Sequence, residues 1–563
     1  MGKSSRVKNT VDVAREVLID RSSSEGSEPL DTRGMLRKRL VHIVLIAAVG
    51  FLAYSNTFYS PFQFDDRSQI IDNPVIKDLK NFTSDRRGYD YNPRRFIGYL
   101  SLALNYRLGG LDVIGYHIVN LLIHIGNAFL VYLFVLLTFR TPSMRQSADS
   151  SPPAPVLIAL FSALLFVSHP LQTQAVTYVI QRLASLATFF YLLSLVMYIK
   201  GRLAIEKQDD TGGRLFSGPS LLFYLVSLIA TVCAMKTKEM AFTLPLVIVL
   251  YEVIFFKSPL KKMLLFLLPI ILTLIVVPLS ILHSDRPLGE ILSDVSEMTK
   301  VQTQMSRWEY LVTEMRVIVT YMRLIFLPIN QNIDYDYPVY HSLLTPPVFL
   351  SFLFLLSIFG LGVYLLLRGM KNNPPSSAAH YRPIGFGILW FFITVSVESS
   401  IIPIVDVIFE HRLYLPLVGA LTGITTGVLI AAKRLKIEKI VIPVLVLITL
   451  ILSGLTYARN TLWKDEMSLW QDAVEKSPNK GRPHNGLGAA YASNSQLDMA
   501  IAEYQTALRL KPDFVEARFN LAFAYLKKGN ADIARREVDL ILNVKPDLYE
   551  ARQLLKDIIS RQH

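Results

Sequence analysis

The sequence predicts an all-α membrane protein, a bundle of about eleven transmembrane helices followed by a soluble helical repeat domain. The first observation is composition: of 563 residues, 52% are hydrophobic and only 18% are charged. This is too apolar for a soluble protein of that size. The second is a change near residue 459 from an apolar composition to that of a soluble helical protein. After this point prolines recur at intervals of 34 residues, at Pro478, Pro512 and Pro546. That period is typical of paired-helix repeats.

Eleven apolar segments approach the roughly 20 helical residues that are needed to cross a bilayer of about 30 Å. They lie near 40–58, 113–138, 155–168, 183–199, 219–235, 241–256, 263–282, 345–367, 383–402, 413–432 and 438–456. Another apolar segment, 315–329, is flanked or interrupted by Glu314, Arg316 and Arg323. We expect this segment to form an interfacial or re-entrant helix.

The distribution of basic residues predicts the topology. With the N-terminus inside and eleven spans, every short loop on the inside is basic, as the positive-inside rule requires. Four segments then lie outside, together with the C-terminal domain: 59–112, 168–182, 283–344 and 402–412. The net charge of +13 is therefore first a topology signal, and we expect no nucleic-acid partner. The predicted domains are a disordered cytoplasmic tail (1–38), a membrane domain (39–458) and a repeat domain (459–563).

The C-terminal domain has the pattern of tetratricopeptide repeats (TPR), in which small residues let paired helices approach. The first full unit places Leu487, Gly488, Tyr491, Ala500, Tyr504 and Ala507 on the repeat positions, and the second places Leu521, Ala522, Tyr525, Ala534 and Ile541 there. Trp470 and Ala473 indicate a leading half unit, and 549–559 a capping helix. We expect the concave surface to dock an acceptor protein, with Tyr491, Asn485 and Asn520 as candidate contacts.

Two adjacent carboxylates, Asp65 and Asp66, stand where the first span gives way to an outer loop. A carboxylate held at a membrane surface can act as a general base on a hydroxyl group whose reaction partner is anchored in lipid. The alternative is a solvated turn that caps a helix. The sequence does not distinguish which aspartate would be the base.

Cations gather at the same predicted face. Arg182 enters the membrane edge, which is costly unless it meets an anion. Lys236 and Lys238 occupy a short outer loop against the charge rule, which favours a bound phosphate over a tight loop of snorkelling lysines. With Arg412 these residues are the predicted phosphate ligands. The predicted supporting polar residues are His169, Gln181, Glu239, Glu410, His411, Arg94 and Arg95.

A metal site has weaker support. His117, Asn120 and His124 share a helix face, but no carboxylate lies near them in sequence, so a hydrogen-bonded packing face is favoured over ligands. No feature requires a metal ion or another cofactor, although Asp65 and Asp66 could bind a divalent cation. The single cysteine excludes an intrachain disulfide.

Several motifs in this order resemble the transmembrane and tetratricopeptide-repeat O-mannosyltransferase family and its bacterial relatives. They are Phe64-Asp65-Asp66-Arg67, Ile71-Asp-Asn-Pro74, Tyr116-His117 to His124, His169-Pro170 with Gln172-Thr-Gln-Ala-Val176 and Arg182, Lys238-Glu239, Arg412-Leu-Tyr414-Leu-Pro416, and Arg459-Asn460-Thr-Leu-Trp463-Lys-Asp-Glu466 with Leu469-Trp470. The resemblance covers most of the chain from about residue 40.

The resemblance implies a glycosyltransferase of the GT-C fold. It would transfer a sugar from a polyprenyl (dolichyl or undecaprenyl) phosphate to a protein Ser, Thr or Tyr hydroxyl at the periplasmic or lumenal face, with Asp65 or Asp66 as catalytic base. A single displacement would invert the anomeric centre. Eukaryotic members carry long repeat arrays, whereas this chain has two full units. We therefore expect a bacterial inner-membrane homologue with a periplasmic site, the endoplasmic reticulum being the alternative, and mannose stays one candidate sugar.

Three rival functions stay open from the sequence. A ligase or polymerase of lipid-linked glycans would share the fold and change the acceptor, although repeats usually bind polypeptide. A transporter or flippase would place charges near the middle of the bilayer, whereas here they gather at one face. A non-catalytic membrane scaffold would leave the outer polar clusters unexplained.

Overall fold

The computed structural model describes residues 32–145, 155–209, 218–256, 258–280, 305–371, 379–400 and 403–562. Most of the predicted tail, residues 1–31, lies outside these ranges. The first helix begins at Thr32, inside the predicted tail, so the boundary expected at residue 38 was placed several residues too late.

Within the described ranges the regular structure is helical, which confirms the predicted fold class. The helices of the membrane domain are α1 (Thr32–Tyr54), α2 (Lys80–Thr83), α3 (Arg87–Tyr91), α4 (Phe96–Gly109), α5 (Val113–Thr138), α6 (Pro142–Arg145), α7 (Pro155–Ser168), α8 (Thr173–Thr177), α9 (Arg182–Asp209), α10 (Gly218–Met235), α11 (Leu244–Phe255), α12 (Leu260–Leu272), α13 (Val276–Leu279), α14 (Arg307–Phe326), α15 (Pro346–Met370), α16 (Tyr381–Val395), α17 (Pro416–Arg434) and α18 (Glu438–Asn460).

The repeat domain continues from α18 through a short 3-10 turn. Its helices are α19 (Glu466–Lys476), α20 (Gly481–Ser493), α21 (Leu497–Leu510), α22 (Val515–Lys527), α23 (Ala531–Val544) and α24 (Tyr549–Gln562). Other short turns matter for the site: a π-helical turn at Arg67–Ile71 and 3-10 turns at Pro170–Gln172, Val179–Gln181, Glu239–Thr243 and Glu410–Leu413.

Each of the eleven predicted spans overlaps at least one helix in the described residues. Seven helical stretches in the described ranges are long and apolar enough to cross a membrane, and the bent pair Pro155–Ser168 and Pro170–Thr177, at 53° to each other, makes an eighth if it is one span. The other three predicted spans correspond to α1, which begins with a basic turn, and to α11 and α16, which have 12 and 15 residues. The chain is thus a multi-pass membrane protein by these helices.

Helix α14 contains most of the segment predicted to form an interfacial or re-entrant helix, and it is not among the described helices that are long and apolar enough to cross a membrane. Its place at the membrane interface stays a prediction. A capping box starts it: the Ser306 hydroxyl accepts from the Glu309 amide, and the Glu309 carboxylate accepts from the Ser306 amide. The hydroxyls of Tyr310 and Tyr321, on its buried face, donate to the carbonyls of Glu398 and Phe409 at 2.7 and 3.0 Å. Helix α14 therefore covers the segment that leads into α17.

The repeat domain follows the predicted period. Side chains 34 residues apart bind the carbonyls of the three periodic prolines: His484 to Pro478 at 2.9 Å, Arg518 to Pro512 at 2.9 Å and Arg552 to Pro546 at 2.8 Å. Gly488 is small for a physical reason, because a Cβ there would lie 2.6 Å from the Tyr504 ring. Helices α20–α21 and α22–α23 form the two units, α19 leads and α24 caps them.

The repeats pack directly on the membrane domain. One buried apolar cluster joins side chains from the segment between α1 and α5, from the turn before α9 and from the repeats, among them Ile70, Tyr178, Trp463, Trp470 and Leu487. The segment between α1 and α5 therefore packs between the helix bundle and the first repeat helices.

Candidate active site

Asp66 holds the loop after α1 against the turn before α9. It is buried, and its carboxylate accepts from the backbone amides of Gln63 at 3.1 Å and Ile180 at 2.7 Å. Burial raises the pKa of Asp66 to about 7, against the effect of these amides. Because the surrounding backbone occupies this carboxylate, Asp66 positions the loop and is not available to a second molecule.

Asp65 has the opposite environment, since the residue is exposed. Its backbone amide donates to the Tyr178 hydroxyl at 2.9 Å. The protein around it partly desolvates its carboxyl and raises the pKa, while Tyr178 and Arg482 act in the other direction. An incoming hydroxyl group can reach this carboxylate. Of the two predicted aspartates, Asp65 is therefore the one in a position to act as a base.

Phe64, just before this aspartate, has a left-handed backbone with φ of 50°. A bulky residue pays of the order of 1–3 kcal/mol for such a conformation, which persists only when its surroundings hold it. The Phe64 ring contacts Trp470 edge-on at 5.5 Å and Tyr178 at 6.1 Å between centroids. The Arg482 guanidinium lies 5.3 Å from the ring centroid. Two of these three partners belong to the repeat domain.

Two aspartates from different loops meet cations of the first repeat. Arg482 Nε binds Asp334 Oδ2 at 2.6 Å, and its two terminal nitrogens bind Asp406 at 3.0 and 2.6 Å. Lys480 Nζ lies 2.6 Å from Asp334 and 3.6 Å from Asp406. Although burial opposes ionisation, Arg482 lowers the pKa of Asp406. The sequence analysis missed Asp334, Arg482 and Lys480, because nothing near them in the sequence distinguishes them from ordinary surface residues.

The predicted lysine turn carries a second charge cluster. Lys238 Nζ lies 3.0 Å from the Glu398 carboxylate. Arg95 binds Glu239 through Nε and Nη2 at 3.1–3.2 Å, and Arg94 approaches the same carboxylate at 3.8 Å. Burial would raise the pKa of Glu239, but the two arginines outweigh it and hold the value at about 2.

Lys236 and Arg412 complete this cluster. Lys236 Nζ donates to the Tyr89 hydroxyl and to the Pro93 carbonyl at 3.3 and 3.4 Å. Arg412 is buried and donates to the carbonyls of Val407 at 3.0 Å and Asp406 at 2.6 Å. Arg412 thus lies beside Asp406, and its charge also acts on Glu398, the partner of Lys238.

The cluster holds more cations than carboxylates. Glu314, on α14, faces Arg412, and burial raises the pKa of this acid to about 7, so it is partly neutral near neutral pH. The ionised carboxylates Glu239 and Glu398 and the partly ionised Glu314 then stand against four cations that act on them, Arg94, Arg95, Lys238 and Arg412, and Lys236 lies in the same turn as Lys238. An excess of fixed positive charge attracts an anion such as a phosphate.

Arg182 does not join this cluster, which corrects its prediction as a phosphate ligand. It is fully buried, and its guanidinium donates to Asn120 Oδ1 at 2.5 Å, Asn105 Oδ1 at 2.8 Å, the Tyr116 carbonyl at 3.0 Å and the Ser101 carbonyl at 3.2 Å. The sequence analysis expected an anion beside this buried cation. The structure instead surrounds the guanidinium with neutral oxygens from α4 and α5. Arg182 holds these helices together.

Other predicted supporting residues also have structural partners. His169 binds the Leu171 amide and the Ile325 carbonyl, and Glu410 accepts from Gln331, Asn332 and Tyr335 at 2.7–2.8 Å. The buried His411 contacts Gln174 at 3.3 Å. Gln181 is half-buried beside Ile180. These residues shape the loops around the charged groups and are not themselves exposed to a ligand, Gln181 excepted.

The helix face with two histidines is hydrogen-bonded packing. His117 binds the Ser60 carbonyl at 2.8 Å, His124 binds the Tyr414 hydroxyl at 2.7 Å, and Asn120 donates to the Val176 carbonyl at 3.0 Å. This confirms the favoured interpretation of the face. Among the described residues, no group of three or more His, Cys, Asp and Glu side chains is arranged to hold a metal ion.

The predicted docking residues lie between the first repeat helices. Asn520 donates to Asn485 at 2.9 Å, and Asn485 donates to Glu516 at 3.1 Å. Asn485 is only 5% exposed, so most of it is unavailable to a partner. Asn520 and Tyr491 are half-buried, and their predicted role in acceptor docking stays a prediction.

Comparison with known proteins agrees with this architecture. A TPR repeat family model matches residues 488–529. The chain is 23% identical to protein O-mannosyl-transferase TMTC4 of Homo sapiens over 508 residues, which covers 79% of this chain and 63% of that protein. It is 23% identical to human TMTC3 over 497 residues, covering 81% of this chain and 50% of the relative.

A shorter stretch of 223 residues is 30% identical to protein O-mannosyl-transferase tmtc2 of Xenopus laevis, covering 38% of this chain and 24% of that protein. The chain spans 50–63% of the length of human TMTC3 and TMTC4. No solved structure matches it. The resemblance inferred from the sequence is confirmed: over about four fifths of its length this chain is similar to the TMTC family of proteins named protein O-mannosyl-transferases.

Proposed function

We propose that this chain is a protein O-glycosyltransferase of the GT-C type that uses a polyprenyl-phosphate sugar. Its acceptor is a Ser, Thr or Tyr hydroxyl of a protein at the non-cytoplasmic face, the periplasmic face if the host is bacterial. The observation that carries the proposal is one chain of charged contacts. The exposed Asp65 carboxyl lies within the influence of Arg482 and Asp406, and Arg482 binds Asp406. Arg412 donates to the Asp406 carbonyl and also acts on Glu398, the partner of Lys238 in the lysine turn. The names of the relatives support the reaction class.

The proposed mechanism is a single displacement. The acceptor oxygen attacks the anomeric carbon while its proton passes to the Asp65 carboxylate. The bond between the anomeric carbon and the phosphate oxygen breaks, and its electron pair leaves on the polyprenyl phosphate. The anomeric centre is inverted because there is one attack, which needs one catalytic carboxylate. Lys236, Lys238 and Arg412 stabilise the developing phosphate charge.

The proposed role of the cation cluster in phosphate binding is tested by measuring the KM for the sugar donor. We expect Lys238→Gln to raise the KM for a polyprenyl-phosphate sugar by about tenfold or more, because a desolvated charge-assisted contact is worth about 1.5–3 kcal/mol. Lys238→Arg should retain most of the affinity. The measurement is transfer of labelled sugar from polyprenyl-phosphate mannose, and from the glucose analogue, to Ser/Thr-containing protein in reconstituted membranes.

The matched control is Lys528→Gln, which removes a lysine ion pair with Asp498 on the repeats and should leave the KM unchanged. Equal donor KM values in wild type and Lys238→Gln would contradict the assignment of the phosphate site. Absence of transfer to protein by the wild-type chain with every lipid-phosphate sugar, or transfer only to a second lipid-linked glycan, would contradict the proposed function itself.

A further inference from the structure

Arg482 has a position that acceptor docking alone does not require. It is the second residue of α20, in the first full repeat, yet its hydrogen bonds run to Asp334 and Asp406 of the membrane domain. Both carboxylates are engaged through two oxygens each. A planar guanidinium has enough donors to bind both oxygens of each carboxylate in this fixed geometry, whereas a lysine ammonium has only three donors.

The same guanidinium covers the Phe64 ring, one residue before the proposed base. The ring is held on another side by Trp470 of α19, so the repeat domain supplies two of the groups that surround it. Phe64 has a left-handed backbone, and a bulky residue keeps this conformation only under external restraint. The backbone at Phe64 sets the direction in which the next side chain, Asp65, leaves the chain.

We propose that Arg482 is a positioning residue by which the repeat domain completes the catalytic loop: it holds Phe64 in its left-handed conformation and thereby directs Asp65 toward the acceptor. The catalytic part of this inference rests on the proposed function. The conformational part, that a residue of the first repeat orders the loop around Asp65, is independent of the reaction.

Charge adds to this arrangement. Arg482 is the cation that acts most directly on the Asp65 carboxyl and favours its ionised form, while Asp406 favours the neutral form. Removing the guanidinium should therefore raise the pKa of Asp65 further as well as release Phe64. If Arg482 only held the two domains in contact, its loss would change neither the acid side of the pH profile nor the order of the loop.

The experiment compares Arg482→Gln and Arg482→Lys with Arg518→Gln. Arg518 pairs with Glu537 at 2.9 Å within the repeats and is buried to a similar degree as Arg482, so its variant controls for loss of an arginine ion pair. The readouts are kcat/KM for transfer, its pH dependence, and amide hydrogen exchange of residues 62–72 in the full-length protein in nanodiscs.

We expect Arg482→Gln to lower kcat/KM by about 100-fold, the effect of a misplacement of about 1 Å, and to move the acid limb of the pH profile upward. Arg482→Lys should restore the position of that limb because it keeps the charge. It should restore only part of kcat/KM. Exchange in residues 62–72 should accelerate by about tenfold or more in Arg482→Gln through local opening, and not in Arg518→Gln.

A second variant separates positioning from folding. Glycine adopts the left-handed conformation without strain, so Phe64→Gly removes the need for a restraint at that residue. Arg482→Gln lowers kcat/KM by a certain factor in the wild type. We expect this factor to be at least about five times smaller in the Phe64→Gly background, which is the coupling expected of contacting residues. An equal cost in both backgrounds would overturn the proposal.

Unchanged loop exchange in a folded Arg482→Gln protein would also overturn the proposal. These outcomes are distinct from failure of the proposed function. If wild-type protein transfers no sugar, the exchange measurement still decides whether Arg482 orders the loop. If wild type transfers sugar and Arg482→Gln does so equally well, the proposed function stands and the positioning role is wrong.

Discussion

Asp65→Asn will lower kcat for sugar transfer by about 10²–10⁴-fold, the contribution of a positioned general base. The amide has nearly the shape of the carboxylate but cannot accept the acceptor's proton. Because the cation cluster is formed by other residues, binding of the lipid-phosphate sugar should change by less than about twofold. The measurement is single-turnover transfer of labelled sugar together with direct binding of the lipid donor.

Asp72→Asn is the matched control in the same loop. Asp72 is also an exposed aspartate, 61% exposed by its side chain, and its ion pair at 3.5 Å is with an exposed residue, Arg67, so it should retain wild-type kcat. Transfer at the wild-type rate by a folded Asp65→Asn protein would remove Asp65 from the mechanism. Loss of lipid binding together with activity would instead make Asp65 a binding residue.

The acid side of the pH profile should report the same carboxylate. Only the ionised form of Asp65 accepts a proton, so activity falls as pH falls through its pKa. Because the surroundings raise that pKa above the ordinary 3.8, we expect the fall at a pH above this value. The residual activity of Asp65→Asn should lack this limb and keep any transition near 7 that comes from Asp66.

The repeats and most helices could be predicted because their signals are local. The 34-residue proline spacing fixed the repeat phase, and the observed Pro carbonyl contacts of His484, Arg518 and Arg552 recur with the same period. The start of the first helix was harder to predict, because the polar residues up to 38 indicated a disordered tail although the helix already begins at Thr32. Charged residues next to an apolar run do not end a helix.

The different roles of the two aspartates, Asp65 as the proposed base and Asp66 as the residue that positions the loop, could not be predicted. They are neighbours in sequence with the same chemistry, and they differ only because Asp66 meets the Ile180 amide, 114 residues away, while Asp65 stays exposed. Arg482 was missed for the same reason. Its partners Asp334 and Asp406 are 148 and 76 residues away, and nothing local distinguishes it from a solvated arginine.

Lys238 and Arg182 were both predicted to bind phosphate, and the structure supports this only for Lys238, for a physical reason. A charged residue at a membrane edge needs a polar partner, and sequence alone does not say whether the partner is a ligand or the protein. Lys238 lies in a cluster with surplus positive charge, where an added anion is favourable. Arg182 meets neutral oxygens of Asn105 and Asn120 that leave no room for one.

Arg182→Met will therefore lower the free energy of unfolding by about 3 kcal/mol or more and will not selectively weaken binding of the sugar donor. Four oxygens lose a charged hydrogen-bond donor, and each such bond is worth about 1.5–3 kcal/mol. Relief of the desolvation of a buried guanidinium offsets part of this sum. The free energy left over still exceeds that of a typical substitution. The measurement is thermal and denaturant unfolding in detergent micelles, in parallel with the donor KM of the folded fraction.

Arg107→Met is the comparison, because Arg107 lies on α4, one of the helices that Arg182 contacts, but is exposed. Its loss should change stability by no more than about 0.5 kcal/mol. If Arg182→Met were as stable as wild type but raised the donor KM tenfold, the guanidinium would have to reach the lipid phosphate after all. Loss of stability with an unchanged donor KM is the result required by a guanidinium whose hydrogen bonds all end on Ser101, Asn105, Tyr116 and Asn120. The phosphate would then be left to the lysine turn and Arg412.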